Sequence, residues 1–338
     1  MVSEAVGNFS KSVTVQTQAG YATAARTYIE AEKALGRPFS SPPTDSELAF
    51  LVTFLIRRKL EPATIKNYLS GIRFYLLSMG LPSPPSLPPL AHQILNGYEK
   101  GKLDPQETAG KKKRRAISVE MLKLLGHSIA IHTYWTDFEK NLRWAVILVA
   151  WWGSFRIGEL LPANSTVFNP KNALLVSDVK VGDDSASFWL RSPKVNRESL
   201  GDIVEVWHVQ ERKDLDPITV LKAYLARRHE ALGEAKNYPL FLHENGSIYS
   251  KHELNKDLDV LLAMYPELKS ERDTWSGHSF RAGLATVLSE LGFSKEEIQS
   301  WGRWSSDAFK VYVKSQVQRR SVRAKLSKTF GSILNYVK

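Results

Sequence analysis

The segment Leu174–Val209, LLVSDVKVGDDSASFWLRSPKVNRESLGDIVEVWHV, decides the fold class. Three stretches in it alternate apolar and polar residues: Leu174–Val181, Ser187–Leu190 and Ile203–Val209. Gly182-Asp183-Asp184 and Ser199-Leu200-Gly201-Asp202 separate them. Alternation at period two, bounded by such turn residues, predicts a small antiparallel sheet. On both sides the period changes. Upstream, Asp137 to Trp152 reads as a long buried helix rich in Trp and β-branched residues. Downstream, helical patterns return at Pro217 and run to the end of the chain. Helices, a few strands and helices again predict a mainly α, α+β domain.

The residues ahead of this domain read as all-helical. Ala22 to Leu35 is periodic and stops at Gly36, a suitable residue just beyond a helix C-terminus. Thr44 and Glu47 match a capping box opening a helix that runs through Leu48, Leu51 and Leu55 to Lys59. Glu61-Pro62 opens a third helix, in which Ile65, Leu69, Ile72 and Leu76 form a core-facing stripe. Lys66, Ser70 and Arg73 lie on its flank, available to DNA phosphates or simply solvated. Two features divide the chain: the proline-rich stretch Leu81–Pro89, and Gly110 followed by Lys111-Lys112-Lys113-Arg114-Arg115. Charge-dense sequence cannot bury itself, so the basic run is the better boundary. The expectation is a helical N-terminal domain over 1–110, a linker over 111–116 and a catalytic domain over 117–338.

Composition fits this plan. The chain has 338 residues, 43% hydrophobic and 24% charged, enough for two packed domains. Lys and Arg outnumber Asp and Glu by 46 to 35, a net +11, which favours a polyanionic partner. With no cysteine, disulfides, thiolate nucleophiles and Cys-based zinc sites are excluded. Met1 to Lys11 lacks the apolar core of a signal peptide. The longest apolar stretch, around Trp144–Trp152, falls short of the ~20 residues a membrane span needs. A soluble, intracellular protein is expected.

Four places carry chemistry, and each alone has an ordinary structural reading. Phe155-Arg156-Ile157-Gly158-Glu159-Leu160-Leu161 follows the buried helix, with Arg156 in position to pair with Glu159. Lys194 sits in Arg191-Ser192-Pro193-Lys194-Val195-Asn196-Arg197, at a hairpin tip. His278-Ser279-Phe280-Arg281 places a proton carrier and a phosphate clamp on one side of a helical turn. Trp301-Gly302-Arg303-Trp304 then precedes Tyr312, on a short helix that Ser306 or Asp307 can cap.

The order Arg, hairpin Lys, HxxR, Gly-Arg-Trp and Tyr resembles the tyrosine recombinases, the phage-integrase family. The stretch His278–Tyr312, HSFRAGLATVLSELGFSKEEIQSWGRWSSDAFKVY, is the best match. It looks particularly like the recombinases of eukaryotic mobile elements, such as Cryptons and tyrosine-recombinase retrotransposons. The resemblance covers nearly the whole chain. It implies a two-domain C-shaped clamp whose first domain is the core-binding domain.

It implies Tyr312 as the nucleophile that holds a DNA 3′ end as a phosphotyrosine. Arg156 and Arg281 would clamp the non-bridging oxygens, Lys194 would protonate the departing 5′ oxygen, and His278 would act as general base or hydrogen-bond partner. Glu159 would orient the first arginine. The covalent link stores the energy of the broken bond, so neither ATP nor another cofactor is expected. The chain has no HExxH, DxDxDG or Walker-type loop, and no metal is expected. Partners would be a specific double-stranded DNA site and three further copies of the chain on two duplexes, with strand exchange through a Holliday junction.

Five points depart from the pattern or stay open. Many family members carry His or Trp nine positions before the nucleophile; here that residue is Arg303, with Trp304 next to it. Trp304, offering an indole N–H, is the preferred candidate, and Arg303 a supporting one. Lys180, Lys213 and Arg197 compete with Lys194. After Tyr312 come seven Lys/Arg and no Asp or Glu, with Phe330, Ile333, Leu334 and Tyr336 as a face to dock on a neighbouring subunit or on the same domain. Lys111–Arg115 resembles a nuclear localisation signal, and a linker lying across DNA would look the same. Competing functions are a non-cutting DNA-binding derivative and a type IB topoisomerase.

Overall fold

The computed structural model describes residues 12–13, 15–36, 43–82, 88–101, 115–166, 168–171, 173–191, 201–209, 212–234, 236–268 and 274–304. The chain divides into two compact units, Met1–Lys111 and Lys112–Lys338.

The first unit holds α1 (Val15–Ala34), α2 (Asp45–Arg57), α3 (Pro62–Ser78) and α4 (Pro89–Gly101). The capping box forms: the Thr44 hydroxyl accepts from Glu47 N, and Glu47 accepts from Thr44 N at 2.6 Å. Proline sits in the first turn of α3, where its missing N–H costs nothing. Ile65, Leu69, Ile72 and Leu76 are all buried against Leu51, Leu55 and Tyr28. Helix α1 begins seven residues before Ala22, and Gly36 takes φ 65° beyond its end. Its close approach to α3 depends on Gly71, where a Cβ would stand 2.8 Å from Ala24 Cβ. Helix α4 is capped from a distance, since the Asp45 carboxylate accepts from Leu90 N at 3.0 Å and Ala91 N at 3.3 Å.

The second unit is built on α6 (Asp137–Trp152), whose residues from Ala145 to Trp152 are all buried. Its two terminal indoles satisfy their N–H groups inside the core, Trp151 on the Ile117 carbonyl at 2.8 Å and Trp152 on that of Leu215 at 2.9 Å. Around it lie α5 (Val119–Ile131), the short α7 (Ile157–Leu160), α8 (Pro217–Leu232), α9 (Lys251–Ala263), α10 (Gly277–Glu290) and α11 (Lys295–Gly302). Strands β1 (Val179–Val181), β2 (Ser185–Leu190) and β3 (Asp202–Trp207) form one antiparallel sheet in that order. The register pairs Val181 with Ala186 and Ser185 with Trp207. Ala186, Phe188, Leu190, Val204 and Val206 point into the core.

The expected first strand is shorter than its alternation suggests. The Asp178 carboxylate accepts from Leu175 N at 2.9 Å and from both Nε and Nη2 of Arg191. This pulls Val176–Asp178 into a 3₁₀ turn, and only Val179–Val181 stays extended. At the other end β2 starts at Ser185, two residues earlier than read.

Candidate active site

Residues of three segments converge at one carboxylate. Arg156 stands at the N-cap of α7, where Glu159 Oε2 accepts from its backbone N at 2.9 Å and Oε1 from its Nη1 at 2.9 Å. The pair read from sequence thus forms, but it is not closed. Oε2 of the same carboxylate also accepts from Arg303 Nη2 at 2.8 Å. Arg303 is the C-cap of α11 and adopts φ 51°. Its Nη2 reaches the carbonyl of Ser154, another residue with positive φ (48°), at 3.5 Å. For non-glycine residues that conformation costs on the order of 1 kcal/mol each, so two strained positions are joined by one guanidinium.

The third cation is Arg281, in the second turn of α10 and 1% exposed. Its Nη2 donates to the Gly302 carbonyl, one residue before Arg303. Its guanidinium lies 5.2 Å from the centroid of the Trp304 ring, while that of Arg303 lies 5.4 Å from Phe155. Phe155 in turn meets Phe188 of β2 edge-on at 5.3 Å, which ties the sheet to the floor of the cluster.

Packing sets these positions. A Cβ at Gly277 would come within 2.3 Å of Ile157 Cγ1, and one at Gly283 within 2.0 Å of the Ile117 carbonyl oxygen. Both glycines therefore let α10 seat closely enough to carry Arg281 to Arg156. Burial, reinforced by the Arg156 and Arg303 charges, pushes the Arg281 guanidinium down to about 9; Glu159 opposes the shift. It stays protonated at neutral pH. Burial pushes the Glu159 carboxyl up, but Arg303 and Arg156 outweigh it and hold the group below the ordinary carboxylate value.

Among the described residues, two guanidiniums thus share one carboxylate and a third, Arg281, interacts with it only through its charge, leaving a surplus of two positive charges. Nε and Nη1 of Arg281, and Nε and Nη1 of Arg303, are buried with no hydrogen-bond partner there. Buried N–H groups of this kind are costly unless a ligand satisfies them. A tetrahedral oxyanion supplies both the charge and the acceptors.

His278 occupies the first turn of α10 and is exposed, its backbone N donating to Ser276 Oγ at 3.4 Å. Trp304 is held through its backbone, which donates to the Gln299 carbonyl at 3.2 Å and accepts from Gln299 Nε2 at 3.0 Å. Tyr312, Lys194, Arg197 and Lys111–Arg114 lie outside the described residues. Lys180 is exposed on β1, and Lys213 is exposed in the 3₁₀ turn Lys213–Leu215. Arg115 is exposed, with its backbone N on the Thr274 carbonyl at 3.0 Å. In the first unit Lys66, Ser70 and Arg73 are exposed on α3, with Lys66 paired to Glu99 at 2.6 Å. The contributions of Ser154, Phe155, Gln299 and the Gly302 carbonyl had no clear sequence signal beyond their adjacency to the motif arginines. A cavity of about 770 Å³ lies elsewhere, between Lys123, His127, Lys140, Trp144, Arg212 and Arg227.

No protein-family model matches the chain, and no curated protein matches it in sequence. Solved structures do match in fold. XerH site-specific recombinase bound to palindromic difH substrate, a post-cleavage complex, superposes with TM-score 0.53 at 16% identity, covering 93% of this chain and 79% of that one. The Tn1549 transposon integrase in complex with transposon right-end DNA gives TM-score 0.56 at 15% identity, covering 96% and 98%. The same integrase with a circular intermediate DNA gives 0.55 at 15% identity, over the same shares. The mostly helical chain with its three-stranded antiparallel sheet therefore has the fold of these recombinases and integrases.

Proposed function

We propose that the chain is a site-specific DNA recombinase that cleaves and rejoins DNA through a 3′-phosphotyrosine. One observation carries the reading: Arg156 and Arg303 share the Glu159 carboxylate, Arg281 bonds the Gly302 carbonyl beside them, and among the described residues buried N–H donors of Arg281 and Arg303 are left over. The fold shared with DNA-bound recombinases and the basic surplus of the chain support it.

In this mechanism the Tyr312 oxygen attacks the scissile phosphorus. A free phenol has a pKa near ~10 and is a weak nucleophile at neutral pH; nearby guanidiniums favour the phenolate, and His278 takes its proton or hydrogen-bonds the phosphate. Arg156 and Arg281 bind the non-bridging oxygens as charge grows on them. The P–O5′ bond breaks, and Lys194 gives its proton to the departing 5′ oxygen. Trp304 packs on Arg281 and offers its indole N–H. Rejoining reverses these steps with the 5′ hydroxyl of another strand. Residues 1–110, including Lys66, Ser70 and Arg73, grip the flanking duplex, with Lys111–Arg115 as linker or nuclear signal. Four copies assemble on two duplexes, exchanging strands through a Holliday junction, as befits a mobile-element recombinase of the eukaryotic type.

The test begins with selection of a bound site from random duplexes, followed by incubation with that site carrying a nick that lets the cut end diffuse away. The wild type should accumulate a covalent protein–DNA adduct and Tyr312→Phe none. Tight binding without an adduct would instead make the chain a non-cutting binder. Relaxation of supercoiled plasmid regardless of sequence would make it a topoisomerase.

A further inference from the structure

We infer that the cavity between α5, α6 and α8 is a binding site for a nucleoside monophosphate, with Trp144 as the platform for its base and Lys123, His127 and Arg227 as the groups that hold its phosphate. The site lies apart from the guanidinium cluster. Its α6 residues, Asp137, Lys140 and Trp144, belong to the N-terminal half of that helix. The C-terminal end of α6, just before Arg156, is about 18 Å beyond Lys140 at a helical rise of ~1.5 Å per residue. The inference goes beyond the proposed function and stands without it.

Three observations carry it. The first is size: the cavity measures about 770 Å³, within the range of roughly 300–1,000 Å³ that small-molecule pockets occupy. The second is an indole held in one orientation. Trp144 Nε1 donates to the Asp214 carbonyl at 3.1 Å, and the ring lies against α5 at Gly126, where a Cβ would stand 3.1 Å from both Cζ2 and Cη2. The side chain is only half-buried, and it forms one wall of the cavity. An indole already fixed offers its face to a planar ring at little cost in rotamer freedom. The third is charge. Lys123, Lys140, Arg212 and Arg227 line the cavity against two carboxylates, Asp137 and Asp214, and this surplus of two matches a phosphate dianion. The cations are not equally committed. Arg212 Nε donates to Asp214 Oδ1 at 2.7 Å, and Lys140 Nζ donates to the Ala130 carbonyl at 3.0 Å. Lys123, His127 and Arg227 have no hydrogen bond or ion pair among the described residues. Scattered free cations are ordinary on a chain of net charge +11; three of them around one indole in one concavity are not. Arg227 adds the planar fork that suits phosphate oxygens. An inorganic anion would satisfy the charge and leave the indole bare, whereas a nucleotide uses both.

The test is calorimetric titration of the full chain with AMP at constant ionic strength, beside adenosine and inorganic phosphate. AMP should bind about tenfold more tightly than either, because only AMP engages ring and cations together. Arg227→Met, at an exposed position outside the core, should weaken AMP about tenfold. Trp144→Leu should do the same, and Trp144→Phe, which keeps a ring and guards against misfolding of the leucine variant, should recover most of the loss. Arg281→Met should leave AMP affinity unchanged. No AMP binding by the wild type, phosphate binding as tightly as AMP, or an affinity indifferent to Arg227→Met overturns the inference. A loss confined to Arg281→Met also overturns it, by placing the nucleotide on the guanidinium cluster. So does a glutamate-rich peptide that binds where AMP does not, which would make the cavity a protein-docking surface.

Discussion

The second unit contains two buried charged clusters, and they are built oppositely. Among the described residues, around Arg281 there are three guanidiniums, one carboxylate and unpaired donors. Around Arg143 acids are in excess, and although Arg143 Nε makes no aligned hydrogen bond, it faces the Asp257 carboxylate at 2.8 Å. Arg143 pairs with Glu139 and, at 2.8 Å, with Asp257, and lies 4.0 Å over the Trp135 ring. His243 bridges Glu139 at 2.9 Å and Glu253 at 3.4 Å, the Tyr249 hydroxyl donates to Asp257 at 2.7 Å, and Glu244 N donates to Glu139 at 3.0 Å. Although burial pushes the Glu139 carboxyl up, its bonds to His243, Glu244 N and Arg143 bring it down to about 2. A network that satisfies itself fastens α6 to α9 and the loop before it. A network left in surplus has the charge and donors to receive an anion. Burial alone does not tell the two apart; the balance of donors, acceptors and charge does.

The sharpest break would come from exchanging the two behaviours. Arg281→Met should lower the adduct-forming rate by about 10²–10³-fold, as loss of a transition-state donor does. The melting temperature should not fall, because the variant removes a buried charge repelled by Arg156 and Arg303. A large drop in stability would show that Arg281 is structural. Glu139→Gln should do the opposite, losing about 3 kcal/mol in urea unfolding because Arg143 keeps only Asp257 and the bonds from His243 and Glu244 N lose their charged acceptor, while adduct formation per folded molecule is unchanged. A smaller effect should follow Gly277→Ala. Its Cβ must displace Ile157, costing about 1–3 kcal/mol and moving Arg281 away from Arg156, so adduct formation should weaken along with stability.

The smallest effect is the pH response of the satisfied cluster. Burial lowers the His243 pKa, but Glu139 and Glu253 outweigh it, so the folded value lies above the ordinary 6.5. A raised histidine adds stability that is complete below its unfolded pKa and is lost as pH rises through the folded one. The melting difference between wild type and His243→Gln should therefore be widest near pH 6 and shrink above neutrality. A difference independent of pH would mean that His243 acts only by packing.

Local signals read well from the residues. The capping box at Thr44, the stripe on α3, the extent of α6 and the mainly α character with one small antiparallel sheet are all consequences of near neighbours in sequence. Periodicity and caps act over one or two turns, so residue order suffices to state them. The shortened first strand was not legible, because Asp178 spends its carboxylate on Arg191 across the hairpin. Nor was the start of α4, whose cap is Asp45.

At the candidate site, the sequence by itself determined that arginines at 156 and 281 and the Gly302-Arg303-Trp304 step exist in an order worth testing. Only the tertiary structure decided that Glu159 is shared, that Arg303 turns inward and that donors are left over. The reason is that charge balance in a buried cluster is a property of segments far apart in the chain. They meet here because two glycines on α10 permit contact that any side chain would block, and because residues 154 and 303 hold a backbone conformation that no local pattern announces.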